Sequence, residues 1–366
     1  MIHQLTPLVE SDAFGTPTQR VWLKLEALQP SGSFKLRGVG HACEVHAARG
    51  ARRFLSSSGG NAGLAVAYAG RRLGVPVRVV VPESTREWAR SLIRRQGAEL
   101  VVHGSSWMEA NEYLTASREP TDAFIHPFDD PDVIAGQGTI GMEILRQHQG
   151  DIDAIFVAVG GGGLISGIAA YVKAVRPKTK VIAVQPTDSA AMVESLRAGR
   201  RVTLPTVGLF ADAIAVKQVG SETFRLCQQY VDDTVLVSTD EICAAIKDVY
   251  TDCRSILEPG GAAAIAGMKK YAEKHRYRGK TLVAVACGSN MNFDRLRFVA
   301  ERAVIGEARE AVLAVTLPEK AGSFRAFCEV LGPRSVTEFN YRYASGTQAH
   351  VFVGVELAHK RETASL

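Results

Sequence analysis

Apolar runs of strand length alternate with longer stretches of helical periodicity along most of this chain, and Gly, Pro or Ser marks each junction. That alternation points to an α/β protein, because a parallel strand reaches its neighbour only through a crossover, usually helical. Residues 21–26 alternate as a strand, and Ser33 is placed to cap a helix that starts near Phe34 and runs toward residue 48. Residues 54–57 read as a strand, 61–73 as a helix and 77–81 as a buried strand stopped by Pro82, one βαβ unit. A second such unit spans 86–102. Residues 155–159 form a strand that enters four glycines, followed by a helix over 164–175 and a strand over 181–184. Helices over 241–250 and 262–274 and a strand over 281–286 continue the pattern. The expected fold is α/β with open parallel sheets.

At 366 residues the chain is longer than one core usually holds, since domains run about 100 to 200 residues. Beyond Arg309 the texture changes to a strand over 311–317, a helix over 323–331 and strands over 336–343 and 350–357. This is an α+β segment of its own, with a boundary at residues 307–310. Hydrophobic residues at 46% against 22% charged residues exclude disorder and fibrous repeats. The +5 formal charge is spread thinly, so nucleic acid is not expected as a partner. No apolar run approaches the roughly 18 residues of a membrane helix, and the opening Met1-Ile2-His3-Gln4 is no signal peptide, so a cytoplasmic protein without membrane contact is expected. The six cysteines are scattered, without a Cys-x-x-Cys pair, and read as reduced thiols.

The one compositional excess is glycine, 34 residues where average usage predicts about 26. Several cluster where strands or loops enter helices. Ser57-Ser58-Gly59-Gly60-Asn61-Ala62-Gly63 is such a junction, where main-chain amides converge on an anion such as a carboxylate; an ordinary tight turn capped by Asn61 is the alternative. Gly160-Gly161-Gly162-Gly163 is another, suited to a phosphate. It lacks the dinucleotide spacing, the next strand ends in Gln185 rather than an acid, and no Gly-Lys-Ser/Thr follows, so a monophosphate fits better than a dinucleotide or triphosphate. Lys35 stands just inside a helix start, where the dipole disfavours a second positive charge and favours the neutral amine that attacks an aldehyde. A solvated surface lysine is the alternative. Cys287 follows a buried strand, at the edge where α/β sheets collect ligands, and reads either as a thiol facing a ring nitrogen or as a plain core residue. Glu258, before Pro259-Gly260-Gly261, is either a site carboxylate or a helix-start charge.

Taken in order, Lys35 in Ser33-Phe34-Lys35-Leu36-Arg37-Gly38, the Asn61 turn, the tetraglycine and Cys287-Gly288-Ser289-Asn290 resemble the fold-type II pyridoxal-phosphate enzymes, specifically serine and threonine dehydratases. Up to about Pro127 the chain looks most like serine dehydratases. From Phe128-Asp129-Asp130-Pro131 onward it is similar to biosynthetic threonine deaminase. The resemblance implies a two-lobed catalytic region like the tryptophan synthase beta fold over 1–308, with a large lobe at about 1–39 and 140–308 and a small lobe at about 40–139. Residues 309–366 would be an ACT-like regulatory segment, shortened, with feedback by isoleucine lost or altered.

By the same resemblance Lys35 forms the Schiff base with pyridoxal phosphate and later removes the Cα proton, and Ser58 assists at the reacting carbon. Phe34, Asn61, Gly160, Gly161, Gly162, Gly163, Leu164, Glu258 and Cys287 would contact the cofactor. Ser58, Gly60, Asn61 and Ala62 would take the substrate carboxylate. The implied reaction is β-elimination from L-threonine or L-serine by a homo-oligomer, dimer or tetramer, without a metal. Two alternatives remain: serine racemase-like activity, against which Gln185 stands where a cation-holding Glu is expected, and an amino-acid-binding regulatory protein without catalysis, which would not need Lys35.

Overall fold

Two parallel sheets and one antiparallel sheet carry the chain, and the computed structural model describes residues 1–15, 19–306, 310–345, 347–357 and 362. The first elements are β1 (Leu8–Glu10), β2 (Arg20–Lys24), a 3-10 turn at Glu26–Leu28 and α1 (Lys35–Ala48). Next come β3 (Arg53–Ser56), α2 (Asn61–Leu73), β4 (Val77–Val81), α3 (Glu87–Arg95), β5 (Glu99–Val102), α4 (Trp107–Ala116) and β6 (Asp122–Phe124). Their strands form a four-stranded parallel sheet in the order β5-β4-β3-β6.

Helix α5 (Pro131–Gln147) then leads to β7 (Ala154–Ala158), α6 (Gly163–Val175), β8 (Lys180–Pro186), α7 (Ala191–Ala198), α8 (Ser221–Tyr230) and β9 (Asp233–Val237). After α9 (Thr239–Cys253) and α10 (Pro259–Lys274), β10 (Thr281–Val285) enters the middle of a six-stranded sheet ordered β1-β2-β10-β7-β8-β9. That sheet is parallel except for β1, which runs antiparallel to β2. Every residue of β7 is buried, as expected of a central parallel strand with helices on both faces. Helix α11 (Arg295–Gly306) precedes β11 (Glu310–Pro318), α12 (Ser323–Leu331), β12 (Val336–Ser345) and β13 (Gln348–Glu356), whose strands pair antiparallel in the order β11-β13-β12. Phe327 and Leu331 of α12 pack on Val351, Val353 and Val355. The boundary expected at residues 307–310 falls mostly on 307–309, outside the described residues.

Register places the site. Strands β10 and β7 pair in parallel with Ala284 opposite Phe156, so Cys287 and the glycines after β7 emerge side by side at the carboxyl edge of the sheet. This is where open α/β sheets bind ligands. Helix α1 is locked to this sheet by a buried charge cluster. The Arg37 guanidinium meets Glu26 at 2.7 Å and Glu143 at 2.7 Å, and Lys24 meets Glu143 at 2.5 Å. Breaking one partner of such a buried set typically costs about 3–5 kcal/mol. Because Glu26 turns inward to Arg37, the expected strand over 21–26 stops at Lys24 and the chain bends into the 3-10 turn.

Two local expectations change. Ser33 does not cap α1: Phe34 is the N-cap residue with no side-chain cap bond, and the Ser33 hydroxyl is buried without a partner. Ser33 is instead bridged to Gly288, and the Phe34 amide donates to the Cys287 carbonyl at 2.9 Å, so main-chain pairing sets the helix entry. Helix α5 carries Gly136, Gly138 and Gly141, which weaken helical propensity. A Cβ at Gly136 would lie 2.7 Å from Gly38 Cα and one at Gly138 3.1 Å from the Gly167 carbonyl, so those glycines let α1 and α6 pack closely on α5.

Candidate active site

Lys35 is the first residue of α1, as expected, and its Nζ donates to the Pro127 carbonyl at 2.5 Å. The amine also lies 5.2 Å from the Phe34 ring centroid. Burial lowers its pKa to about 8, against the opposing pull of Cys287 and Glu258. Burial, rather than the helix end alone, therefore makes this amine available near neutral pH.

The tetraglycine is a turn in which side chains have no room. A Cβ at Gly160 would sit 3.0 Å from Ile214 Cα, one at Gly161 would strike the Phe128 ring, and one at Gly163 would lie 2.7 Å from the Phe128 carbonyl. Gly162 has φ +101°, the left-handed region that glycine favours. Among the described residues, no protein acceptor takes the amides of Gly160, Gly161 or Gly162. The first-turn amides of α6, at Gly163 and Leu164, have no in-helix acceptor either. The Leu164 side chain packs in the core, so this residue offers only its backbone. Five donors in a row at a helix start suit a monophosphate.

Glu258, Asn61, Asn290 and Cys287 lie in one connected group. Asn61 Nδ2 donates to Glu258 Oε1 at 2.7 Å, and Asn290 Nδ2 donates to Asn61 Oδ1 at 2.7 Å and to the Ser31 carbonyl at 2.8 Å. The Glu258 amide donates to the Gly288 carbonyl at 3.0 Å, and Cys287 Sγ donates to the Gly260 carbonyl at 3.5 Å. Burial raises Glu258 to about 8, helped by Asp212 and opposed by Asn61, so its carboxyl is largely protonated at neutral pH. Burial also pushes the Cys287 thiol up, which keeps it neutral. One Asn61 Nδ2 hydrogen is committed to Glu258, and among the described residues no second acceptor meets that nitrogen.

The second glycine turn joins β3 to α2. The Gly60 amide donates to Ser58 Oγ at 3.3 Å, whereas the amides of Asn61 and Ala62, in the first turn of α2, lack in-helix acceptors and the helix has no side-chain cap. Asn61 thus does not cap its own helix but reaches across to Glu258 on the other lobe. Gln185 is used structurally: its Nε2 donates to the Val159 carbonyl at 3.0 Å and its Oε1 accepts from the Val193 amide at 2.9 Å.

Sequence pattern assigns no role to Pro127, to Phe128 against the glycines, or to Ile214, which lies against both Gly160 and Gly260. The signal near Pro127 is the Asp130-Pro131 helix start: Asp130 Oδ1 accepts from the amides of Asp132 and Val133, which fixes the end of the Pro127 segment.

This donor set fits pyridoxal phosphate, since it combines an amine whose pKa burial lowers to about 8, a run of unpartnered amides and a neutral thiol at the edge of the same sheet. Residues 2–288 match the family model of pyridoxal-phosphate-dependent enzymes, and residues 301–366 match that of the C-terminal regulatory domain of threonine dehydratase. The chain is similar to the biosynthetic L-threonine dehydratase of Burkholderia multivorans, at 55% identity over 94% of this chain and 69% of that protein. The biosynthetic L-threonine dehydratase of Escherichia coli is 46% identical over 98% of this chain and 70% of its own length, so the likeness runs through the first third as well. Among solved structures, the processed form of threonine deaminase isoform 2 from Solanum lycopersicum superposes with a TM-score of 0.80 at 41% identity, covering 82% of this chain and 89% of that one. The chain belongs to the pyridoxal-phosphate-dependent enzyme family, in its α/β fold-type II form, and carries a threonine-dehydratase regulatory domain at its C-terminal end.

Proposed function

We propose that the chain is a pyridoxal-phosphate-dependent ammonia-lyase that converts L-threonine to 2-oxobutanoate and ammonia, and L-serine to pyruvate and ammonia. The observation that carries this reading is Lys35, an amine whose pKa burial lowers to about 8, beside a neutral thiol and a glycine turn full of unpartnered amides. The cofactor, when bound, supplies an aldehyde for that amine and a ring that accepts electrons as the Cα–H bond breaks.

The residues of the chain do the rest. The amides from Gly160 to Leu164 would hold the phosphate, and the second hydrogen of Asn61 Nδ2 would be available to the ring hydroxyl, with Phe34 and Glu258 nearby. The Asn61 and Ala62 amides and Ser58 Oγ receive the substrate carboxylate, with Gly60 contributing once its amide leaves Ser58. Lys35 takes the Cα proton, which its pKa of about 8 permits near neutral pH. A neutral Cys287 would offer no negative charge to the ring nitrogen, and the proton taken up by Lys35 could be passed to the β-hydroxyl as it leaves as water. Hydrolysis returns that water and releases the oxo acid and ammonia, so atoms balance.

The proposed division is a catalytic region over 1–308 and a regulatory segment over 309–366, a reading supported by the two family matches. We also take the enzyme to be a cytoplasmic homo-oligomer; the cysteines, all free among the described residues, are compatible with a reducing compartment. No helix among the described residues is long and apolar enough to cross a membrane. Initial rates of 2-oxo acid release from L-threonine and L-serine, with and without isoleucine, test the function. Release from either amino acid is expected. If neither yields an oxo acid the reading is lost, and D-serine formed from L-serine would put racemisation in its place.

A further inference from the structure

One short segment, from His126 to Asp130, touches both Lys35 and the tetraglycine. Its Pro127 carbonyl accepts from Lys35 Nζ at 2.5 Å, and its Phe128 ring lies against Gly161, where no side chain fits. Asp129 accepts from the amides of Ser221, Glu222 and Thr223 at 2.8, 3.0 and 3.2 Å, which ties the segment to the start of α8. Asp130 caps α5. The bend between these contacts is held from inside by a ring. His126 Nδ1 lies 2.7 Å from the Asp129 amide and 3.2 Å from the Phe128 amide. Both partners are N–H donors, so Nδ1 accepts, and the proton of the neutral ring is on Nε2. Phe124 and Phe128 pack edge-on to the ring at centroid distances of 6.2 and 4.8 Å.

We propose that His126 is a positioning residue, whose unprotonated Nδ1 folds the 126–129 turn and thereby fixes the Pro127 carbonyl against the Lys35 amine and Phe128 against the tetraglycine. The inference rests on Lys35 being the reacting amine. It goes beyond that reading because the neutral His126 ring acts on Lys35 through the main chain of the turn, not by touching the amine.

Protonation of His126 would place a third N–H against two donors and undo the turn. The charged groups acting on the ring are Asp129 and Asp130 on its own segment and Lys35 from α1. Burial lowers the His126 pKa from its ordinary 6.5; the aspartates oppose this, and Lys35 adds to it. The turn is therefore intact above about pH 6.5 and is lost as pH falls through the lowered value.

The test reads the apoprotein, without turnover. Competitive acylation followed by peptide mapping gives the apparent pKa of Lys35 in the parent, in His126→Phe, which keeps the aromatic packing but cannot accept, and in His126→Asn, whose Oδ1 can. The expected result is a rise of one unit or more in His126→Phe, as Lys35 becomes hydrated, with roughly five- to tenfold less acylation at pH 8. His126→Asn should stay within about twofold of the parent. A lowered melting temperature in His126→Phe with an unchanged Lys35 pKa would reduce His126 to a stability residue and overturn the proposal. Should His126→Phe fail to fold, amide exchange at Phe128 and Asp129 in the parent decides. Protection, corrected for intrinsic rate, should fall below pH 6.5 in the parent and not in His126→Asn; pH-independent protection in both overturns the proposal. Mapping of the cofactor-bearing lysine in the holoenzyme is a separate observation, so failure of the Lys35 assignment is distinguishable from failure of this one.

Discussion

The two glycine turns of the site differ in what compels their glycines. After β7, packing and backbone conformation compel them: Phe128 and Ile214 crowd the Cβ positions, Gly162 needs a positive φ, and the amides have no protein partner. After β3 the demand is uneven: a Cβ at Gly59 would lie 2.6 Å from Thr85 Cγ2 and one at Gly63 1.8 Å from the Ser58 carbonyl oxygen, but Gly60 stands open. A Cβ at Gly60 would meet only Ser58 Oγ at 4.0 Å, Gly60 has φ −106°, and its amide is already bonded to Ser58. The first turn is a rigid socket, crowded at all four glycines, and the second is tight at Gly59 and Gly63 but open at Gly60, the position between them.

Substitutions put that contrast at risk. The largest loss is expected for Gly161→Ala, where the new methyl must displace the Phe128 ring. A loss of about 2–3 kcal/mol in apoprotein unfolding is predicted, together with weaker cofactor retention on dialysis. If this variant were as stable as the parent, the socket would not be rigid.

Glu258→Gln comes next and tests the link between the two turns through Asn61. In the parent the folded pKa is raised from 4.5 to about 8, so the favourable protonated state is fully present below pH 4.5 and is lost as pH rises through 8. Relative to the parent, the variant should therefore gain stability across that window, on the order of 2–4 kcal/mol by pH 8.5. Urea melts at pH 5 and pH 8.5 read the difference, and a pH-independent gap would contradict the buried, protonated carboxyl.

A smaller effect is expected for Ser58→Ala, which removes a hydroxyl from the proposed carboxylate site. KM for L-threonine should rise about tenfold with the melting temperature nearly unchanged, corresponding to one lost hydrogen bond to a charged group. The smallest is Gly60→Ala, which should change unfolding free energy by less than about 0.5 kcal/mol because nothing crowds the new methyl. A large loss there would erase the distinction between the turns.

What the residues disclosed and what they hid follows the same division. Helix α2 (Asn61–Leu73) and strand β4 (Val77–Val81) were legible to the residue, because apolar periodicity and flanking Gly and Pro are local signals. Lys35, the tetraglycine and Cys287 were legible because each stands at an element junction. Helix α5 was not, since its glycines argue against a helix until α1 and α6 are known to press on them. Nor was the edge strand β1, only three residues long. The role of Pro127 was hidden for a stronger reason: a carbonyl that meets an amine 92 residues away leaves no mark on side-chain pattern. Asn61 misled in part, since a polar residue at a helix start reads as a cap, yet this one spends its amide on Glu258.

The account rests on Lys35 as the amine that carries the cofactor, and one measurement reaches it directly. The holoenzyme is reduced with borohydride, digested and mapped by mass spectrometry. The prediction is a pyridoxyl group on the peptide containing Ser33-Phe34-Lys35, and loss of that label in Lys35→Ala. A label on another lysine, or no label on a protein that nonetheless releases 2-oxo acid from L-threonine, would contradict the account.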